Sequence, residues 1–398
     1  MHDLKEVGAW MASRGTGRDE LSPMTLPDPT FVCEGRTLVS FSTNNYLALA
    51  TSSRLKARAR DALDRYGVGN CESRLLGGNL ELYEQLEVRL AEIKRKEAAL
   101  LFATGYLTNL SVLPTLVKTS TLARAFGYSP TTSWKHAFFT DEFNHLSIRE
   151  GIRISGAPSF AYKHLEMNDL EAKLRASAAQ IKIIVTDGVF SQHGDIVPLP
   201  DMMDLAERYD AVVYIDDAHG TGVLGPTGAG TAEYFGIASP RIIHMGTLSK
   251  AYGCIGGFIA TEAYLAQILR FGCAGFGFTS TLPPDQAAAV LEAIDMVTDE
   301  SERRARLWEN QRYFVSRMAA RGIAPLSRCT PIVPVHVGDE GECVRIASGL
   351  RDAGFHVDAI LFPAIGAGLS RLRFMMNAHH TTAQIDGVVD ALGQMMGQ

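Results

Sequence analysis

The stretch "AVVYIDDAHG" (Ala211–Gly220) divides into two halves of opposite character. Its first five residues are apolar and mostly β-branched or aromatic, and its second half carries two aspartates and a histidine. A short apolar run of this composition predicts a buried strand, which leaves the polar residues at its carboxyl end. Upstream, "HAFFTD" (His136–Asp141) and "IKIIVTDGVF" (Ile181–Phe190) repeat the form, and "LPDMMDLAERY" (Leu199–Tyr209) between them and Ala211 has helical spacing. Apolar strands separated by helices predict an α/β layered domain with a mostly parallel sheet. In such sheets ligand-binding groups collect just past the carboxyl ends of the strands. The polar residues that close each apolar run are therefore the candidates for function.

Working outward, "LYEQLEVRLAEIKRK" (Leu82–Lys96) predicts an amphipathic helix, and "EAALLFATGYLTNLSVLPTLV" (Glu97–Val117) a short strand, a glycine turn and a second helix. "TLVSFSTNNYLAL" (Thr37–Leu49) predicts a short strand and a turn. Beyond "FTSTLPPDQAAAVLEAIDMV" the pattern becomes strand, helix, strand, strand, helix, which predicts a smaller α+β domain. The expected divisions are an N-terminal arm over 1–50, a large domain over 51–290 and a small one over 291–398.

The chain of 398 residues is long enough for this plan. Apolar residues make up 46% and charged ones 21%, as in ordinary globular proteins. A net charge of −6 without a basic cluster argues against a nucleic-acid partner. No apolar run reaches the length of a membrane span, and the N-terminus lacks an apolar signal core. Six scattered cysteines have neither CxxC nor metal-ligand spacing, which predicts free thiols in a reducing cytoplasm and no metal.

"HMGTLSKAYGCIGG" (His244–Gly257) holds Lys250, the sole lysine after Lys182. Arginine fills the other cationic positions there, yet an amine nucleophile needs a neutral form that only lysine can supply. Lys250 is thus either a Schiff-base lysine or a solvated lysine in a glycine-rich loop. Asp216 could face a protonated pyridine nitrogen, with His219 by a ring oxygen; the alternative is a helix-capping aspartate and a surface histidine. Ser191 and His193 in "VFSQHGD" follow a strand end or simply form a turn. His145 in "FTDEFNHLS" could lie over a cofactor ring or be structural. Thr104–Gly105–Tyr106 open a helix whose free N–H groups suit a phosphate. Together these parts make up a set that pyridoxal 5′-phosphate needs.

The chain resembles the α-oxoamine synthase family of fold-type I pyridoxal-phosphate enzymes along nearly its whole length, most specifically in "TDGVFSQHGDIVPL", "YIDDAHGTGVLGPTGAG" and "GTLSKAYGCIGG". The resemblance implies a large domain with a mostly parallel, seven-stranded sheet and a smaller C-terminal domain. It implies that Lys250 carries the cofactor, that Asp216 pairs with the pyridine nitrogen, that His219 and Ser191 lie by the ring oxygen and that His145 stacks on the ring. Gly105, Tyr106 and Thr247 would hold the phosphate, and Thr279 would reach the phosphate of a second subunit in a homodimer with shared sites. Arg373 in "RLRF" would bind the amino-acid carboxylate, with Asn45 and Arg74 as further substrate-binding residues. The implied reaction is a decarboxylative condensation of glycine, alanine or serine with an acyl thioester on CoA or a carrier protein. An aminotransferase or lyase on the same fold is the rival, followed by a silent partner subunit.

The chain departs from the family pattern in several places. The usual small-residue run reads "GVGNCESRLLGG" (Gly67–Gly78), the usual Met-Asp after the hydroxyl residue is Gln192–His193, and the Pro-rich loop before the last arginine shrinks to "FPAIGAGLSRLR". Lys118–Ala137 is longer than the family norm. Its aromatic residues Phe126, Tyr128 and Trp134 are costly to leave in water. Because it joins the phosphate-binding helix to the strand before His145, it is expected to border the acyl entrance; the alternative is an ordinary surface loop.

Overall fold

The computed structural model describes residues 2–14, 24–130, 132 and 134–397. The chain divides into two compact units, Asn44–Leu307 and a second formed by Met1–Thr43 with Trp308–Gln398.

In the larger unit seven strands form one sheet: β1 (Ala98–Phe102), β2 (His136–Asp141), β3 (Ser159–Tyr162), β4 (Ile181–Asp187), β5 (Ala211–Asp216), β6 (Ile242–Thr247) and β7 (Gly257–Thr261). Their order across the sheet is β1-β7-β6-β5-β4-β2-β3. Only β7 runs against its neighbours, and the rest of the sheet is parallel. Side chains alternate between two cores. Ile183, Val185 and Tyr214 join Val112 and Leu113 of the helix Gly105–Leu116 on one face. Ile184, Val213 and Ile215 join Met202 and Leu205 of the helix Leu199–Arg208 on the other. Helices on both faces explain why the inner strands read as continuous apolar runs, since their central positions are buried whichever way they point. Each fully buried Phe or Ile contributes about 1.5–3 kcal/mol over its exposed state.

The smaller unit holds two three-stranded sheets, one of Thr30–Cys33, Arg36–Ser40 and Phe355–His356, the other of Ile332–Gly338, Ser370–Met375 and Asp358–Ile360. Two of the expected boundaries move. The N-terminal segment is not a separate arm, because Arg36–Ser40 pairs in parallel with Phe355–His356 and so belongs with the C-terminal part. The boundary expected near 290 falls at 307. The helix Pro284–Asp299 stays with the larger unit, where it packs on the helix Ser53–Tyr66 and its Glu292 pairs with Arg54. Within the insertion, Thr119–Ala125 is helical. Among the described residues no helix is long and apolar enough to cross a membrane.

Candidate active site

The carboxyl ends of β2, β4, β5 and β6 open onto a cavity of about 230 Å³. It is lined by Thr104, Gly105, Tyr106, His145, Ser191, Asp216, His219, Thr247 and Lys250 from the sequence candidates, and by Ser147, Asp187, Ala218, Met245 and Ser249 besides. The sequence scatters these residues over 147 positions (104 to 250), and the parallel sheet gathers them because every strand that carries one ends on the same edge.

Asp216 ends β5 with its carboxylate fixed from two sides. Its Oδ1 accepts the Ala218 N–H at 3.1 Å and its Oδ2 accepts from Asn109 Nδ2 at 2.7 Å. Asn109 is itself held, since Tyr214 donates its hydroxyl to Asn109 Oδ1 at 2.6 Å and Asn109 Nδ2 also reaches Ser147 Oγ at 2.8 Å. Ser147 Oγ lies 2.7 Å from His145 Nδ1, and the Ser147 N–H also points at Nδ1, at 3.3 Å. With Nδ1 accepting, the ring proton of neutral His145 sits on Nε2. Burial pushes the His145 pKa down; the Asp216 charge opposes this, and Lys250 and Arg149 push it further down. Asp187 accepts the His145 backbone N–H at 2.8 Å, and its own pKa is driven well up, first by burial and then by the charge of Asp216.

His219 is set by Tyr46, whose hydroxyl lies 2.7 Å from His219 Nδ1. The turn between Asp216 and His219 is stapled from below. Asp217 Oδ2 receives the Lys94 ammonium at 2.7 Å, while Lys94 also reaches Thr221 Oγ1 and the Ala229 carbonyl. Asp217 Oδ1 accepts from the Thr231 hydroxyl at 2.6 Å. Both side chains of the Lys94–Asp217 pair are only 1% exposed.

The helix Gly105–Leu116 starts at the cavity, and Thr104 caps it by accepting the Leu107 N–H at 3.1 Å. The helix start is pressed against β6 and β7. A Cβ on Gly105 would lie 3.0 Å from Met245 Cε, and one on Gly257 would lie 2.6 Å from Gly105 N. Only glycine allows this approach, which aims the first N–H groups of the helix into the cavity. Thr247 Oγ1 lies 2.8 Å from Ser249 Oγ and donates to the Gly256 carbonyl at 3.0 Å. This donor set fits pyridoxal 5′-phosphate. A helix N-terminus suits a dianionic phosphate, and a carboxylate suited to a pyridinium lines the same cavity as the Lys250 amine.

Four candidates lie outside this cavity. Arg74 is buried, with its guanidinium on Glu87 and Asn79 and packed over Tyr83 and Phe276, so within this chain it forms a buried ion pair. Asn45 Oδ1 accepts the N–H groups of Leu49 and Ala50, which makes it a turn cap. Arg373, in the smaller unit, pairs with Asp358 at 2.7 Å. Thr279 sits in a bend after the short helix Ala274–Gly277. The family departure Gln192–His193 places the His193 ring flat on Phe143, 4.5 Å away and 7° from parallel. Sequence reasoning passed over Asn109, Tyr46, Lys94 and Asp187. A fully buried Asn on the otherwise apolar face of a helix was the one signal available for the first of them.

The insertion Lys118–Ala137 does not reach this cavity. The helix Gly105–Leu116 runs away from it, and at about 1.5 Å per residue its far end is about 18 Å off. β2 then starts at His136, at the opposite edge of the sheet, and only its other end returns to the cavity. The expectation that the insertion borders the acyl entrance is overturned within this chain, because both of its ends attach at the edge remote from Lys250.

The family model described as aminotransferase class I and II matches residues 36–392. An 8-amino-7-oxononanoate synthase of Alkaliphilus oremlandii is 39% identical over 361 residues, covering 90% of this chain and 88% of that protein. One of Lysinibacillus sphaericus is 40% identical over 370 residues, covering 92% and 91%. Among solved structures, a serine palmitoyltransferase from S. paucimobilis with a bound pyridoxal phosphate–myriocin aldimine superposes with a TM-score of 0.89 at 27% identity, covering 98% of each chain.

Proposed function

The chain belongs to the aminotransferase class I and II family, and from that premise we propose that it acts as a pyridoxal-phosphate-dependent α-oxoamine synthase. The observation that supports this most directly is the single cavity holding Lys250, the Asn109-braced carboxylate of Asp216 and the N-terminus of the helix Gly105–Leu116. Homologues named for this activity match over about nine-tenths of the chain.

When bound, pyridoxal phosphate supplies an electron sink for a carbanion beside the amino-acid nitrogen. The chain's residues do the rest. Lys250 is the covalent anchor and, once released as an amine, takes the proton from the amino acid's Cα. Asp216, supported by Asn109 and the Ala218 N–H, keeps the pyridine nitrogen protonated. His145, neutral because it is buried, offers a flat uncharged face to the ring. Gly105 and Tyr106 present helix N–H groups to the phosphate, with Thr247 beside them, and His219 and Ser191 serve the ring oxygen. Arg373 takes the amino-acid carboxylate in this proposal. Thr279 serves the partner phosphate in a homodimer.

The activity for which the relatives are named sets the carbon skeleton to test first. An 8-amino-7-oxononanoate has nine carbons. Alanine contributes two of them and the nitrogen after losing carbon dioxide, and a seven-carbon acyl thioester with a terminal carboxylate contributes the other seven. We therefore place alanine first among the small amino acids.

The test is thiol release and product mass across alanine, glycine and serine, each with thioesters of several lengths and with CoA or a carrier as the thiol. Thiol release with an α-amino ketone supports the proposal. Transfer of the amino group to a keto acid, without thiol release, would replace it with an aminotransferase. Arg373→Lys should raise the amino-acid KM by about tenfold, since one ammonium cannot hold a carboxylate bidentately; an unchanged KM would remove Arg373 from the assignment.

A further inference from the structure

One apolar hollow of the larger unit lies away from the cofactor site. It lies between the insertion and the helix Ala263–Gly272, holds about 530 Å³, and is walled by Leu122, Ala123, Phe126, Trp134, Ile268 and Phe271. The walls are joined where Phe126 meets Phe271 edge-on at 5.7 Å and where Thr115 Oγ1 donates to the Gly272 carbonyl at 3.2 Å. Phe126 stays 67% exposed and Trp134 49%, so the described residues leave the hollow uncovered.

Charge indicates what would cover it. From 118 to 135 the sequence carries Lys118, Arg124 and Lys135 and no carboxylate, in a protein of net charge −6. The opposite wall, Ala263–Gly272, has no carboxylate either. Arg124 stands one helical turn beyond Ser120, which lines the hollow, and Lys135 directly follows Trp134, which also lines it.

We propose that this hollow is a binding site for a single-chain amphiphile with an anionic head, of the fatty-carboxylate class, separate from the reaction cavity. The tail fills the aromatic hollow and the head lies among Lys118, Arg124 and Lys135. A concave apolar volume of this size matches small-molecule sites. A flat membrane surface or an acidic protein would use the cations but leave the hollow unfilled. The inference does not rest on the condensation reading, and each can fail without the other.

The test is calorimetric titration of the cofactor-loaded protein with octanoate, decanoate and dodecanoate below their micellar concentrations, with decyltrimethylammonium as the cationic comparator. Affinity should rise about three- to fourfold per added methylene, and the cation should bind at least tenfold more weakly than decanoate. Ala123→Trp, which fills the hollow, should weaken decanoate by tenfold or more while thiol-release activity stays at wild-type level. The double charge reversal Arg124→Glu with Lys135→Glu lies on the surface and should weaken it at least fivefold, so it decides the matter if the tryptophan variant fails to fold. A flat chain-length series, or binding that both variants leave intact, would overturn the site. So would binding seen only with phosphatidylglycerol vesicles, which means a membrane surface. Loss of self-association in Ala123→Trp without any amphiphile binding would also overturn it, in favour of a second copy of the chain.

Discussion

The two ends of the helix Gly105–Leu116 are built on opposite principles. At its start nearly every polar group has a named partner. Asp216 is held by Asn109 and Ala218, His145 by Ser147 and Asp187, His219 by Tyr46 and Asp217 by Lys94. Past its other end, the insertion leaves Phe126, Tyr128 and Trp134 in contact with water around an apolar hollow. A reaction centre needs charges fixed in advance, because hydrogen bonds made before the reaction cost nothing during it. A site that only holds an apolar tail needs volume and no such network. The same sheet serves both because the connections that carry chemistry sit at its carboxyl edge and the insertion joins at the other.

The largest expected effect tests the ordered end. Lys250→Ala removes both the anchor and the amine that takes the Cα proton, so turnover should fall by at least about a thousandfold while the far-UV circular dichroism stays native. Borohydride reduction should mark Lys250 in the parent protein. A reduced adduct mapped to another lysine would move the reaction centre elsewhere.

Next is the staple beneath the turn. Lys94→Met leaves the Asp217 carboxylate buried without its cation, which should cost about 3–5 kcal/mol in denaturant unfolding. Adding Asp217→Asn should recover part of that loss. If Lys94→Met unfolds like the parent, the pair contributes nothing and the turn is held by the remaining Asp217 hydrogen bonds, to Thr231 and Thr221. Asn109→Ala should be milder. It strands the Tyr214 hydroxyl and one oxygen of Asp216, a loss of about 1–3 kcal/mol, seen as weaker cofactor affinity and lower kcat with little change in amino-acid KM.

Much of this end was legible in the sequence, for a physical reason. Strands buried on both faces end abruptly where the chain meets solvent, so Asp216, His145 and Ser191 stand out as the polar residues that close apolar runs. Lys250 stands out because arginine replaces lysine around it. The supports were less visible. Lys94 reads as an ordinary basic residue in the last turn of an amphipathic helix, and Tyr46 lies 173 positions from the histidine it orients. Arg74 reads as a substrate ligand only by resemblance, and the sequence gives no sign of its ion pair with Glu87. The insertion was misplaced because chain adjacency does not say which end of a helix or strand a loop adjoins. It follows the helix that leaves the cavity and precedes the strand that returns to it, which puts it about one helix length away.

A finer probe concerns the charge state of His145. Burial and the nearby cations Lys250 and Arg149 hold its pKa below the ordinary value of 6.5. The imidazole therefore stays neutral at pH 7. As pH falls through 6.5 the unfolded chain takes up this proton first, so the His145 share of stability declines there and levels off below the folded pKa. Arg149→Gln removes one of the cations that disfavour protonation. The His145 titration, followed by NMR of labelled histidine in the cofactor-free protein, should move toward 6.5 by a fraction of a unit. A shift in the opposite direction would show that Arg149 acts on the site by some route other than its charge.

The smallest expected effect tests the other half of the comparison. Replacing 118–135 by a few Gly and Ser residues removes the hollow and its cations but touches nothing within about 18 Å of the helix start. Long surface insertions are tolerated well thermodynamically, because loop closure depends only weakly on length. Amino-acid KM, kcat and cofactor affinity should stay within about twofold of the parent, which is the ordinary outcome for a change away from a reaction centre. Decanoate binding should disappear in the same protein. A change in acyl chain-length preference on shortening would break the comparison, because it would tie the far end of the helix to the acyl substrate after all, by way of a neighbouring subunit. Activity retained with amphiphile binding lost would confirm that one sheet carries two independent sites, one organised by charge and one by volume.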